Sequence, residues 1–179
     1  MQGLVSLVPQ PYMDNVVALW DELETTFGLK GVRITPFPHI SWQIAEEYPE
    51  EALLKALQEV TQAIKPISVH IKGIETFVSQ TPVVFLKVYK DPALIKEHFR
   101  VWLKFLPIAK GLSMLYSPPL WRPHITLTYQ DLTREQMPEV VKYLRAKPID
   151  WEFTLDNLSF LVENPAGSSR NLHSFKLQG

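Results

Sequence analysis

A tetrapeptide occurs twice in this chain, as Pro38-His39-Ile40-Ser41 and as Pro123-His124-Ile125-Thr126. Each copy leads into a mostly apolar, strand-like tail, Trp42-Gln43-Ile44 and Leu127-Thr128-Tyr129. A β-strand sends residues i and i+2 to the same face, so each copy presents an imidazole and a hydroxyl together, about 7 Å apart at their Cα atoms. Two such strands side by side would furnish one cleft with two proton-transfer groups and two hydroxyls. Such a set suits the making or breaking of a phosphodiester without a metal. One His-x-Ser/Thr alone carries almost no information; a paired, proline-led, apolar-flanked repeat does.

The order of elements around the two copies is also repeated. Gly3 to Val8 reads as a strand. A helix comes next from Pro11, with Val16, Trp20, Leu23 and Phe27 at helical spacing and Gly28 as its stop. The first motif strand covers His39 to Ala45. Leu53, Leu57, Val60 and Ile64 mark a second helix, ended by Lys65-Pro66. Strands are expected over Ile67 to Val78 and Val83 to Tyr89. Asp91-Pro92 caps a third helix, whose buried stripe is expected to be Ile95, Phe99, Trp102 and Leu106. Gly111 to Tyr116 reads as a strand, then His124 to Gln130 as the second motif strand. Thr133 and Gln136 form a capping-box pair for a fourth helix, with Pro138 moving its start slightly later. Ile149 to Val162 and Leu172 to Leu177 read as a strand pair around the loop Asn164–Asn171. This pattern predicts an α+β fold of two pseudo-symmetric lobes, each a mainly antiparallel sheet with outer helices, around a central groove.

Bulk properties narrow the field of partners. The 179 residues, 46% hydrophobic and 21% charged, describe one ordinary globular unit spanning 1–179. A formal net charge of −1 argues against a broad, non-specific nucleic-acid binder and favours short substrates over long RNA. With no cysteine, disulfides, thiolate metal sites and cysteine nucleophiles are excluded. The Met1-Gln2-Gly3-Leu4 start lacks the basic lead and apolar core of a secretory signal, and no apolar run approaches the roughly 18 residues of a membrane span. A cytoplasmic monomer is expected.

His39 and His124 are the candidate acid–base pair, since imidazole titrates near neutrality and one ring can accept a proton while the other donates. Ser41 and Thr126 would hydrogen-bond the non-bridging phosphate oxygens, where charge builds in the transition state. Arg122, Arg33, Lys87 and Arg170 are the candidate cations. Phe37 and Trp121 precede the motif strands and are candidates to stack on a base at the groove mouth. Trp42 and Ile40 alternate to the opposite face, and Tyr129 alternates away from His124, Thr126 and Thr128; these are expected in the core. His98, beside Glu97 and Arg100, reads as part of a solvated helix face. His70 and His173 read as incidental, and no spacing suggests a metal site.

On Pro38-His39-Ile40-Ser41 and Pro123-His124-Ile125-Thr126, and on the order of elements over nearly the whole chain, the sequence resembles the two-histidine phosphoesterase superfamily, which includes 2′-5′ RNA ligase-like proteins and cyclic phosphodiesterases. The resemblance implies metal-independent hydrolysis of a 2′,3′-cyclic phosphate to a 2′-phosphate, or the reverse 2′-5′ joining reaction, without cofactor. It implies RNA cyclic-phosphate ends or small cyclic nucleotides as partners, His39 and His124 as the acid–base pair, and Ser41 and Thr126 as phosphate ligands. Many relatives continue the second motif as Thr-Leu-x-Arg; here it is Thr126-Leu127-Thr128-Tyr129, so that arginine is missing. The alternatives are a phosphate- or nucleotide-binding module without turnover, and a hydrolase of linear 2′-5′ oligonucleotides.

Overall fold

A computed structural model describes residues 1–163 and 168–179. The chain runs β1 (Gln2–Leu7), α1 (Tyr12–Phe27), β2 (His39–Ala45), α2 (Glu50–Ala63), β3 (Ile67–Phe77), β4 (Val83–Val88), α3 (Pro92–Phe105), β5 (His124–Thr126), α4 (Met137–Arg145), β6 (Asp150–Leu155), β7 (Asn157–Glu163) and β8 (Ser169–Lys176). Positions 164–167 of the expected Asn164–Asn171 loop lie outside the described residues; the flanking strands β7 and β8 pair as the expected antiparallel hairpin, but β8 already begins at Ser169, and Ile149 to Val162, expected as one strand, is divided between β6 and β7 in different sheets.

The strands form two antiparallel sheets, ordered β2-β1-β7-β8 and β5-β4-β3-β6. Both motif strands are therefore edge strands, each beside the strand that precedes it through a helix: β1-α1-β2 in one lobe, β4-α3-β5 in the other. The α+β, two-lobed expectation holds, with one correction to its wiring. The lobes are not the two sequence halves. β3 and β4 belong to the second sheet, and the C-terminal hairpin β7–β8 returns to complete the first. Local patterning cannot see this, because it is decided by which strand edge each hairpin finds.

Local signals explain most element ends. Gly28 closes α1 at φ 74°, a conformation that costs glycine little, with its N–H on the Glu24 carbonyl. The Asp91 carboxylate accepts the Leu94 N–H at 2.8 Å and Pro92 starts α3. Thr133 Oγ1 accepts the Gln136 N–H at 3.2 Å ahead of α4.

The helix α3 is turned from its expected setting. Leu94, His98, Val101, Trp102 and Phe105 are buried, whereas Ile95, Phe99 and Leu106 are 46, 49 and 43% exposed. The helix carries apolar residues on two faces, and the buried one looks incomplete in sequence because His98 interrupts it. The residues Gly111 to Tyr116 are not a strand; Met114–Tyr116 form a short 3-10 turn. Among the described residues no helix is long and apolar enough to cross a membrane.

Candidate active site

The concave faces of the two sheets enclose a cavity of about 810 Å³, and His39, Ser41, His124 and Thr126 all line it. The strand alternation supplies each pair, and the shared edge position of β2 and β5 brings the pairs together.

The two histidines are held alike. His39 Nδ1 lies 2.6 Å from the Phe37 carbonyl, and His124 Nδ1 lies 2.6 Å from the Arg122 carbonyl. A carbonyl only accepts, so each Nδ1 carries the hydrogen and each Nε2 is left for proton transfer. Phe37 and Arg122 thus contribute their backbones two residues before each ring. Burial holds the His39 imidazole below its ordinary value; the Phe37 carbonyl opposes this and His124 adds to it. Burial also lowers His124; the Arg122 carbonyl opposes this and the Arg122 charge adds to it. His124 further packs edge-on to Phe77, with ring centroids 5.1 Å apart, and against Phe85 at 4.9 Å.

Indole-to-backbone hydrogen bonds from the opposite lobe fix the two hydroxyl-bearing residues. The Trp121 indole donates to the Ser41 carbonyl at 2.8 Å, and the Trp20 indole donates to the Thr126 carbonyl at 3.0 Å. Tyr116, which also lines the cavity, hydrogen-bonds the Ser41 side chain; burial pushes its phenol above the ordinary value, with the Ser41 bond opposing.

Each motif strand breaks its alternation just after the hydroxyl. In β2 the register steps from Val5 opposite Ser41 to Leu4 opposite Gln43, leaving Trp42 as the extra residue. After β5, the Leu127 and Thr128 N–H groups both bond the Val84 carbonyl, at 2.9 and 3.1 Å. These are bulges, and they invert the facing of the residues beyond them. Ile44 and Tyr129, each five residues after its histidine, consequently line the cavity. Trp42 and Ile40 are buried as expected, but Tyr129 is 41% exposed at the rim. Thr128 instead turns inward, its hydroxyl accepting the Val84 N–H at 2.9 Å.

Of the candidate cations, Arg122 lines the cavity. Its guanidinium lies 5.2 Å from the Phe77 ring centroid and pairs with Glu75 at 3.2 Å. Lys87 stands opposite His124 in the β4–β5 register and pairs with the same Glu75 at 2.8 Å. These hydrogen bonds and charges, Lys87's first, hold the Glu75 carboxyl below its usual range. Arg33 is engaged elsewhere: it pairs with Asp21 and with Glu24, and its guanidinium lies over the Trp20 ring. Arg170 lies in a separate concavity with Tyr48, Glu50 and His173.

The stacking expectation for Trp121 is corrected. It is 1% exposed, lying parallel to His98 with ring centroids 3.7 Å apart and to Trp42 at 5.6 Å. Phe37 is half-buried and does not line the cavity. His98 is not on a solvated face. It is buried in this indole stack, its Nε2 3.1 Å from the Trp42 carbonyl.

Sequence reasoning missed Tyr116, Trp20 and the inward turn of Tyr129. Tyr116 was hidden by the expected strand, and Trp20 by its place in a regular helical stripe. The Gly31 contact gave no sequence signal. A Cβ there would sit 1.9 Å from the Tyr129 carbonyl oxygen, so glycine lets the segment before β2 press against the turn after β5.

The sequence profile of the 2′-5′ RNA ligase superfamily matches residues 12–166. The chain belongs to this superfamily. A Shouchella clausii protein named "Putative phosphoesterase" is 25% identical over 146 residues, 79% of this chain and 81% of the relative. The fold is that of TT0787 from Thermus thermophilus, at TM-score 0.68 and 19% identity, covering 99% of this chain and 98% of that one. It also matches E. coli LigT in complex with NADP+, at TM-score 0.62 and 15% identity, covering 99% and 97%.

Proposed function

We propose that this superfamily member is a metal-independent phosphodiesterase that opens 2′,3′-cyclic phosphates of nucleotides or RNA ends to 2′-phosphates. One observation carries the reading: two histidines with the same Nδ1-to-carbonyl tether, each followed by a hydroxyl, line one cavity. The neutral histidine takes a proton from water at Nε2 as the water oxygen bonds to phosphorus. The bond from phosphorus to O3′ breaks, and the protonated histidine delivers its proton to O3′. Ser41 and Thr126 donate hydrogen bonds to the non-bridging oxygens, and Arg122 offsets their charge. With an RNA 5′-hydroxyl in place of water, the same attack and the same loss of O3′ would join a 2′-5′ bond. E. coli LigT, of the same fold, has been solved with 3′-AMP, NADP+ and ATP, which supports a nucleotide-bearing substrate. In this reading residues 1–179 act as one catalytic unit, a cytoplasmic monomer needing no cofactor, with the cavity lined by residues of both lobes.

The test incubates the protein, with excess chelator, with the four nucleoside 2′,3′-cyclic monophosphates and a short RNA bearing a cyclic end. Phosphorus NMR should show 2′-phosphate products. Tight binding with no product from any substrate would overturn catalysis in favour of a binding module.

A further inference from the structure

The second lobe takes up the free edge of β2 at the residues that carry the site. The Trp121 indole donates to the Ser41 carbonyl at 2.8 Å, His98 Nε2 lies 3.1 Å from the Trp42 carbonyl, and the Ser113 N–H donates to the Ile44 carbonyl at 2.9 Å. Residues 113–121 are thereby strapped along this edge at both ends. Between the anchors the strap is braced by its own turns. The Tyr116 N–H bonds the Ser113 carbonyl at 3.2 Å, the Trp121 N–H bonds the Ser117 carbonyl at 2.8 Å, and the Ser117 hydroxyl donates to the Met114 carbonyl at 2.6 Å. His98 also reaches the Tyr116 carbonyl. The backbone of Tyr116 is thus held at its N–H and at its carbonyl, and its side chain lines the cavity with Ser41.

The Tyr116 hydroxyl hydrogen-bonds the Ser41 side chain. A hydroxyl carries one hydrogen and two lone pairs, whereas a phosphodiester oxygen only accepts. Once Ser41 gives its one hydrogen to phosphate, its bond to Tyr116 has a single direction: the phenol donates and the serine oxygen accepts. A hydroxyl that accepts in this way is a stronger donor, because the bonds in a chain polarise one another. The two motifs differ in their need for such a partner. Thr126 is β-branched, and the branch restricts its χ1. Ser41 has no branch, so its hydroxyl turns more freely unless a neighbour holds it.

Building on the phosphodiesterase reading, we infer that Tyr116 is a positioning residue for the reaction. Its hydroxyl donates to Ser41 Oγ and fixes the rotamer in which Ser41 donates to the non-bridging phosphate oxygen. That bond is strengthened where charge builds in the transition state. Tyr116 acts through Ser41 and not on the phosphate itself.

The test is a double-mutant cycle on a nucleoside 2′,3′-cyclic monophosphate, with Tyr116→Phe, which keeps the ring and removes the donor, Ser41→Ala, and the two together. Tyr116→Phe should lower kcat about three- to tenfold, with KM changed by less than about twofold. Beside Ser41→Ala the same change should have less than about a twofold further effect. An equal loss in both backgrounds, a loss carried by KM, or no loss at all would overturn the inference and leave the phosphodiesterase reading intact. If the unaltered protein cleaves no cyclic phosphate, the phosphodiesterase reading fails. Calorimetric binding of the same nucleotide then decides whether Tyr116 sets Ser41 on phosphate. That role survives if Tyr116→Phe weakens binding at least about threefold alone and less than about twofold beside Ser41→Ala, and falls otherwise.

Discussion

Trp20 and Trp121 do the same work on opposite lobes: each indole N–H crosses to the motif strand of the other half and holds the carbonyl of its hydroxyl residue. Both recipients, Thr126 and Ser41, lie on sheet-edge strands, whose outward carbonyls have no ladder partner. The two bonds tie the hydroxyl-bearing residues to the far lobe, so the relative setting of the two motifs is fixed by side-chain-to-backbone hydrogen bonds as well as packing.

Replacing Trp121 with Phe keeps most of the ring but removes the donor. The unpaired Ser41 carbonyl should cost about 1–3 kcal/mol, read by urea unfolding. If the bond positions the Ser41 hydroxyl for the transition state, kcat should fall more than KM rises. A loss of stability with both constants unchanged would reduce the bond to packing.

Gly31→Ala should be destabilising by about 1–3 kcal/mol, because the added methyl meets the Tyr129 carbonyl 1.9 Å away and the turn after β5 must shift. Denaturant titration measures the loss. The same shift should raise KM, since Tyr129 lines the cavity.

Part of the acid sensitivity should come from behind the site, beside what the lowered His39 and His124 contribute. Burial lowers the His98 pKa from 6.5 to about 4, with its carbonyl partners opposing and Lys90 adding to the fall. The unfolded chain therefore takes up this proton first as pH drops. Stability is full above the unfolded value and is lost as pH falls from about 6.5 towards about 4, by on the order of 3 kcal/mol. His98→Gln, which retains a donor for the Trp42 carbonyl, should flatten that part of the stability–pH curve. An unchanged slope would place the acid sensitivity elsewhere.

Catalysis should show the same downward displacement. Both His39 and His124 are held below their ordinary value, chiefly by burial. A bell-shaped kcat/KM profile, which reports the free protein, should therefore have its alkaline limb below about pH 6.5, because the required acid loses its proton early. An alkaline limb well above neutrality would contradict the geometry.

What the sequence disclosed was whatever alternation or capping could encode. His39 with Ser41, and His124 with Thr126, come from the two-residue period of a strand, and Gly28 and Asp91 end and begin helices for local reasons. The period also misled where a single residue broke it. The bulge at Trp42 and the doubled bond to Val84 reverse the facing of Ile44 and Tyr129. His98 was misplaced because a histidine between Glu97 and Arg100 looks polar, whereas two tryptophans and a carbonyl make room for it in the core. The crossing of β7–β8 back to the first sheet, and of each tryptophan to the other lobe, are long-range choices that no window of sequence records.

The most direct test is the single-turnover rate on a nucleoside 2′,3′-cyclic monophosphate, in chelator, for His39→Ala, His124→Ala and the double variant. Each single change should cost roughly 10²- to 10⁴-fold, and the double change less than the product of the two, since the histidines act as one relay. A single variant that turns over at close to the unaltered rate would contradict the shared-cleft account.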